Sequence, residues 1–232
     1  MNRHDDIRDK LAGAARSLAN LKRPLLEALK ANHADLERDD FLWHYLLQSF
    51  ATLGGASGWD GLIGNEANCR KMSYETFSDM DDADRVPYAH EIFAAAKVRY
   101  PNQKASNIVA CFDKMHAMGG LRAAKENLLQ QEGRGGKIAF LKSFPGIGDK
   151  YARNIMMDVY HEDFHHSIAI DSRIQAISAK WELEFASYAD HESFYLGVAE
   201  AAGLNGWELD RLMFRFQTVF YPPIATVIGN VA

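Results

Sequence analysis

The sequence predicts an all-α protein, two helical lobes flanking a cleft. Three observations predict it. Apolar residues recur at helical spacing, as in Leu18, Leu21, Leu25, Leu26 and Leu29. No strand alternation, internal repeat or low-complexity tract stands against them. A tight turn, Pro145-Gly146-Ile147-Gly148, joins two helical runs in the middle of the 232 residues. That length suits one domain built as two lobes.

In chain order, Ile7 to Ala31 reads as helix, broken near Pro24 because proline cannot continue the hydrogen-bond ladder. Phe41 to Thr52, FLWHYLLQSFAT, is too apolar for a surface and reads as the central helix of its lobe. Leu53 to Asn65 is glycine-rich and carries Trp59; it is not expected to be regular throughout. Asp84 to Tyr100, Asn102 to Met115 and Gly120 to Gln130 read as helices, with EGRGG as a link. A helix then ends near Ser143 and another starts at about Asp149, with Tyr151, Ile155 and Met156 or Val159 on one face. Ser172 to Trp181, Tyr188 to Ala202 and Trp207 to Tyr221 complete the set.

The turn is the place to look for chemistry. Two glycines let the backbone take positive φ and come close to something. The turn lies at a helix N-terminus, where free N–H groups and the dipole favour an anion such as phosphate. Lys150 stands in the first turn of that helix, where the dipole favours a neutral, nucleophilic amine. Asp171 precedes a helical run and reads as an N-cap. Its further reading is a carboxylate held at a helix start and aimed into a cleft.

FPGIGDKYA followed by AIDSRI resembles the helix-hairpin-helix motif and catalytic aspartate of the endonuclease III superfamily of DNA glycosylases. Phe144, Ile147 and Ile170 are apolar replacements for the family's residues. The resemblance implies that Lys150 is the Schiff-base lysine of the bifunctional members and Asp171 the catalytic carboxylate. It implies one lobe that joins residues 1–35 with 185–232 and another over 36–184, which holds the turn and its two helices at 138–160. It implies base-excision repair: release of a damaged base, then strand cutting by β-elimination. Gly146 and Gly148 would hold DNA phosphate through the main chain, with Lys142 and Arg153 beside them. Lys104, in NQKASNIVACFDKM, touches phosphate or is a solvated surface lysine. Gln48 either bonds locally or reaches the damaged base. Trp59 either anchors in the core or stacks on that base.

WELDRLMF is similar to a segment of the archaeal-type 8-oxoguanine glycosylases, in which an aspartate contacts the purine and an aromatic packs by it. Asp210 and Phe214 have that spacing and complete the expected base pocket; a surface aspartate beside a core phenylalanine is the alternative. The tail FQTVFYPPIATVIGNVA runs past the end of the shorter members and lacks their terminal lysine. The expected substrate is therefore an oxidised base, 8-oxoguanine first. An oxidised pyrimidine, an alkylated base, or a non-catalytic DNA-binding module are the alternatives.

Composition limits partners. The 47% hydrophobic and 25% charged residues are those of a globular protein. No apolar run reaches membrane-span length, and MNRHDDIRDK is too charged for a signal peptide. Net charge is −5, which argues against a general polyanion binder. Arg134, Lys137, Lys142, Lys150 and Arg153 nevertheless concentrate positive charge at the turn. The two cysteines, Cys69 and Cys111, lack metal-ligand spacing, and His161, His165 and His166 read as a solvated loop. Many superfamily members hold an iron–sulfur cluster with four cysteines after the core; this chain has none there, so no cluster, metal or nucleotide cofactor is expected. A structural monovalent cation at the hairpin is the one ion the resemblance allows. The expected partner is damaged double-stranded DNA, met by a monomer in the cytoplasm, at the nucleoid.

Overall fold

The computed structural model describes residues 3–52 and 56–223, and these contain helices and no strand. The chain divides into two compact units. A terminal unit joins the residues up to Ala34 with those from Met156 on, and a central unit runs from Asp35 to Ile155. The second crossing thus falls about thirty residues earlier than the sequence suggested. The reason is packing: the helix after Asp171 rests on C-terminal elements, as described next.

In the terminal unit, α1 (Arg3–Leu21) buries Ile7, Leu11, Ala15 and Leu18, a stripe at helical spacing. The helix breaks at Lys22, and Pro24 sits in the first turn of α2 (Arg23–Lys30), where its missing N–H costs nothing.

The central unit is built round α3 (Phe41–Thr52), which buries nine of its residues. The Trp43 indole N–H donates to the Met72 carbonyl at 2.8 Å, and Trp43 packs edge-on to Tyr74, Phe77 and Phe112. The glycine-rich stretch is more regular than expected. Residues 53–55 lie outside the described set, but Ala56–Leu62 is helical (α4). Its glycines serve contact: a Cβ on Gly58 would stand 2.4 Å from the Ala51 carbonyl oxygen, and one on Gly61 2.1 Å from that of Ala96. Then come α5 (Glu66–Lys71), α6 (Tyr74–Ser78), α7 (Asp82–Ala95), α8 (Pro101–Ala117) and α9 (Leu121–Leu129). The expected EGRGG link instead starts a helix, α10 (Gly133–Lys142), and α11 (Asp149–Asp158) follows the turn.

Past α11 the chain returns to the terminal unit. Here α12 (Ser172–Lys180) packs on α14 (Gly206–Arg215) and on a 3₁₀ turn, Gln217–Phe220, while α13 (Tyr188–Ala202) packs on α1 and α14. The Trp181 indole donates to the Phe220 carbonyl at 2.8 Å, fixing the end of α12. The last expected helix therefore ends at Arg215, and residues 224–232 of the long tail lie outside the described set. Among the described residues no helix is long and apolar enough to cross a membrane.

Candidate functional site

Two groups of residues carry the expected chemistry, one in each unit. The first is the turn between α10 and α11. Gly146 has φ +82°, which only glycine adopts freely, and a Cβ there would meet Asn107 Nδ2 at 2.6 Å and Phe50 Cε1 at 2.7 Å. Gly148 differs: its φ is not positive and the space round it is open. One glycine shapes the turn, and the other leaves its surface bare at the start of α11.

Charge on the turn is largely internal. Lys142 donates to Asp149 Oδ1 at 2.8 Å, and this hydrogen bond holds the Asp149 carboxyl below the usual range. Arg153 was expected to face phosphate, yet it is buried and bonds the Asp149 carbonyl at 3.0 Å. Lys137 is buried as well, with its ammonium on the Gln131 carbonyl at 2.7 Å. Both side chains spend a donor on closing a loop from inside rather than presenting the whole charged group to solvent. Sequence reading missed Lys114, whose ammonium bonds the Ser143 carbonyl at 2.8 Å and its hydroxyl at 2.7 Å. Phe144 O accepts from Ile147 N–H, and Pro145 O from the Cys111 thiol, whose pKa burial pushes up to about 12. Three successive carbonyls of the turn, those of Ser143, Phe144 and Pro145, thus each accept a hydrogen bond from within the unit. Among the described residues no group of three or more His, Cys, Asp or Glu is arranged to hold a metal ion.

Lys150 stands in the first turn of α11, with its Nζ 4.0 Å from the centre of the Tyr151 ring. That ring also lines a cavity of about 120 Å³, together with Ser49, Phe50, Lys104, Asn107 and Gly146. The candidate nucleophile is therefore beside a concave surface of its own unit. Lys104 was expected at the surface and is instead in the cavity floor, 2% exposed, donating to the Phe50 carbonyl at 2.6 Å. Burial, then Arg99, pushes its pKa down to about 8. Gln48 is half-buried on α3. Trp59 is not a core anchor, being among the exposed large hydrophobic residues. Another such residue is Tyr100, in a left-handed conformation before α8 with the Arg99 guanidinium 5.5 Å from its ring; nothing in the local sequence pattern singled it out.

The second group surrounds Asp171. Its Oδ1 accepts from the backbone N–H groups of Arg173 at 2.9 Å and Ile174 at 3.0 Å, so the expected N-cap is present. Its Oδ2 lies 3.7 Å from Arg173 Nη1. The Arg173 guanidinium in turn covers the ring of Phe214 at 3.9 Å, and Phe214 is 43% exposed. Arg173 is a second residue that sequence reading missed; its place two after the cap was the available signal.

Asp210 does not lie beside Phe214 as a base contact. It is buried and accepts from the Ala169 N–H at 2.8 Å. Burial raises its pKa to about 6 against the pull of Arg211. Its neighbours complete a pattern: Ile168 N–H donates to Glu192 Oε1 at 3.1 Å, and Ile170 N–H to the Tyr188 hydroxyl at 2.9 Å. Three successive amides leading to Asp171 are each held by a side chain.

Neither a protein-family model nor a curated protein matches this chain. Among solved structures it is similar to Tm1821, the 8-oxoguanine DNA glycosylase of Thermotoga maritima. The TM-score is 0.67 at 17% identity, over 89% of this chain and 95% of that one. At that identity the likeness establishes the fold: the all-α architecture of this chain is the one seen in that glycosylase.

Proposed function

We propose that the protein is a DNA glycosylase with AP lyase activity, acting on an oxidised base and on 8-oxoguanine first. The observation that carries this reading is a lysine at the start of α11, directly after a glycine turn, within the fold of an 8-oxoguanine glycosylase.

A base inside a duplex is out of reach and must be extruded. Open space at Gly148 suits main-chain contact with a phosphate, and the exposed ring of Tyr100 suits stacking against a neighbouring base. Cleavage of the glycosidic bond builds positive charge on the sugar, which the Asp171 carboxylate stabilises. The Lys150 amine attacks C1′ as the base leaves, and loss of a proton and ring opening give an imine. The imine makes the C2′ proton acidic; its removal expels the 3′ phosphate and cuts the strand. Water then hydrolyses the imine and returns Lys150 as the amine.

The substrate reading rests on the fold likeness and on the exposed Phe214 ring, since the Asp210 carboxylate is occupied by Ala169. Damaged double-stranded DNA is the partner, and a monomer suffices.

The test is a base-release screen on duplexes carrying 8-oxoguanine, thymine glycol, uracil or 3-methyladenine, with borohydride added to trap the imine. Release of 8-oxoguanine and a trapped adduct that Lys150→Gln abolishes are expected. Preference for another base changes the substrate and leaves the mechanism. Undiminished trapping in Lys150→Gln removes the lysine from its role. Binding without release from any duplex makes the protein a DNA-binding module.

A further inference from the structure

The stretch that delivers Asp171 belongs to no helix or sheet. Ser167, Ile168, Ala169 and Ile170 are all buried, so their backbone groups need partners that regular structure does not supply. Those partners come from two helices. Glu192 and Tyr188 on α13 take the amides of Ile168 and Ile170, and Asp210 on α14 takes that of Ala169. Tyr188 contributes twice: its hydroxyl accepts from Ile170 N–H at 2.9 Å and donates to the Ile168 carbonyl at 3.2 Å. One oxygen thus pins the peptide groups on both sides of Ala169, and the second of them is separated from Asp171 by a single further peptide group.

Tyr188 is well placed for this. It is the first residue of α13, and the side chain of Ser187 caps that helix by accepting from Asp190 N–H at 3.1 Å. The hydroxyl therefore hangs from a fixed point. Asp171 divides its carboxylate, with Oδ1 on the amides of Arg173 and Ile174 and Oδ2 toward Arg173. A small shift of the Ile170 peptide would break the cap or turn Oδ2 away.

We infer that Tyr188 is a positioning residue for Asp171: its hydroxyl clamps the Ile168 and Ile170 peptide groups and so fixes where the carboxylate stands. As a statement about rate this rests on the proposed glycosylase function; as a statement about geometry it does not. Glu192 and Asp210 share the work, but both are buried, and truncating either would unsettle the unit. Tyr188 is half-buried, and Tyr188→Phe removes a single oxygen.

The experiment uses the full chain with Tyr188→Phe and two readouts. The first is amide hydrogen exchange. Exchange at Ile170 should rise by about tenfold, and the Arg173 and Ile174 amides should lose protection with it, while α1 and α3 keep theirs. The second is single-turnover release of 8-oxoguanine from a duplex. The rate should fall by about tenfold at unchanged duplex affinity, and the loss should vanish in an Asp171→Asn background, because residues acting through one group are not additive. Full protection at Arg173 and Ile174 in Tyr188→Phe would overturn the inference, as would an equal loss of rate with and without Asp171. Absence of base release by the wild type would count against the proposed function alone, and hydrogen exchange would still decide the role of Tyr188.

Discussion

The Lys104 ammonium donates to the carbonyl oxygen of Phe50 at 2.6 Å, at a site 2% exposed to solvent. The last carbonyls of a helix have no partner within it, and α8 supplies one for α3. The charge is thereby placed where water cannot solvate it. Burial lowers the Lys104 pKa from 10.5 to about 8. Below about pH 8 the lysine is charged in folded and unfolded chains, and the burial cost is complete. Between there and about pH 10.5 the unfolded chain keeps the proton and the folded chain does not, so stability rises with pH. Measured by urea unfolding against Lys104→Met, the wild type should gain on the order of 3 kcal/mol across that window. A difference independent of pH would mean that the ammonium is solvated.

Asp210 has the opposite charge and the opposite window. Its folded pKa of about 6 lies above the ordinary aspartate value of 3.8, so the folded chain carries a burial cost that is complete above about pH 6 and disappears as pH falls to about 4. Asp210→Asn keeps an oxygen for Ala169 N–H and removes the charge. The variant should be more stable than wild type at neutral pH by on the order of 3 kcal/mol. Thermal unfolding at a series of pH values should show that advantage closing between about pH 6 and 4. A variant less stable at neutral pH would make the Arg211 interaction, with Nε 3.8 Å from Oδ2, the dominant effect.

The two glycines of the turn should separate. Gly146→Ala meets both a left-handed backbone and the side chains of Asn107 and Phe50, and should cost about 1–3 kcal/mol of stability. Gly148→Ala meets open space and should leave stability within about 0.5 kcal/mol while weakening binding to any duplex. Circular dichroism melts and duplex titrations of both variants check this. Equal effects on stability would mean that the turn repacks as a whole.

Asp171→Asn should fold normally, since asparagine caps as well as aspartate. Single-turnover base release should nevertheless fall by about 10² to 10³, the usual effect of losing one group that stabilises transition-state charge. An unchanged rate would leave Asp171 as the cap of α12 and nothing more.

The sequence by itself determined what local physics decides. Helical periodicity gave the all-α class, Pro24 the break between α1 and α2, and the apolar run of α3 its central place. The position of Asp171 before Ser172 announced an N-cap, and Gly146 announced a turn with positive φ. Each of these depends on residues within a few positions. Tertiary structure decided the fate of the charges. Lys104, Arg153 and Asp210 read as a phosphate contact, another phosphate contact and a base contact, and all three are buried. The partner of Lys104 is 54 residues away and that of Asp210 is 41 away, so neither spacing nor composition could reveal them. The boundary of the units moved to Ile155 for a similar reason: α12 packs on α14 and the Gln217–Phe220 turn, which only the folded chain brings to it. A charged side chain is worth what surrounds it, and its surroundings come from the far ends of the chain.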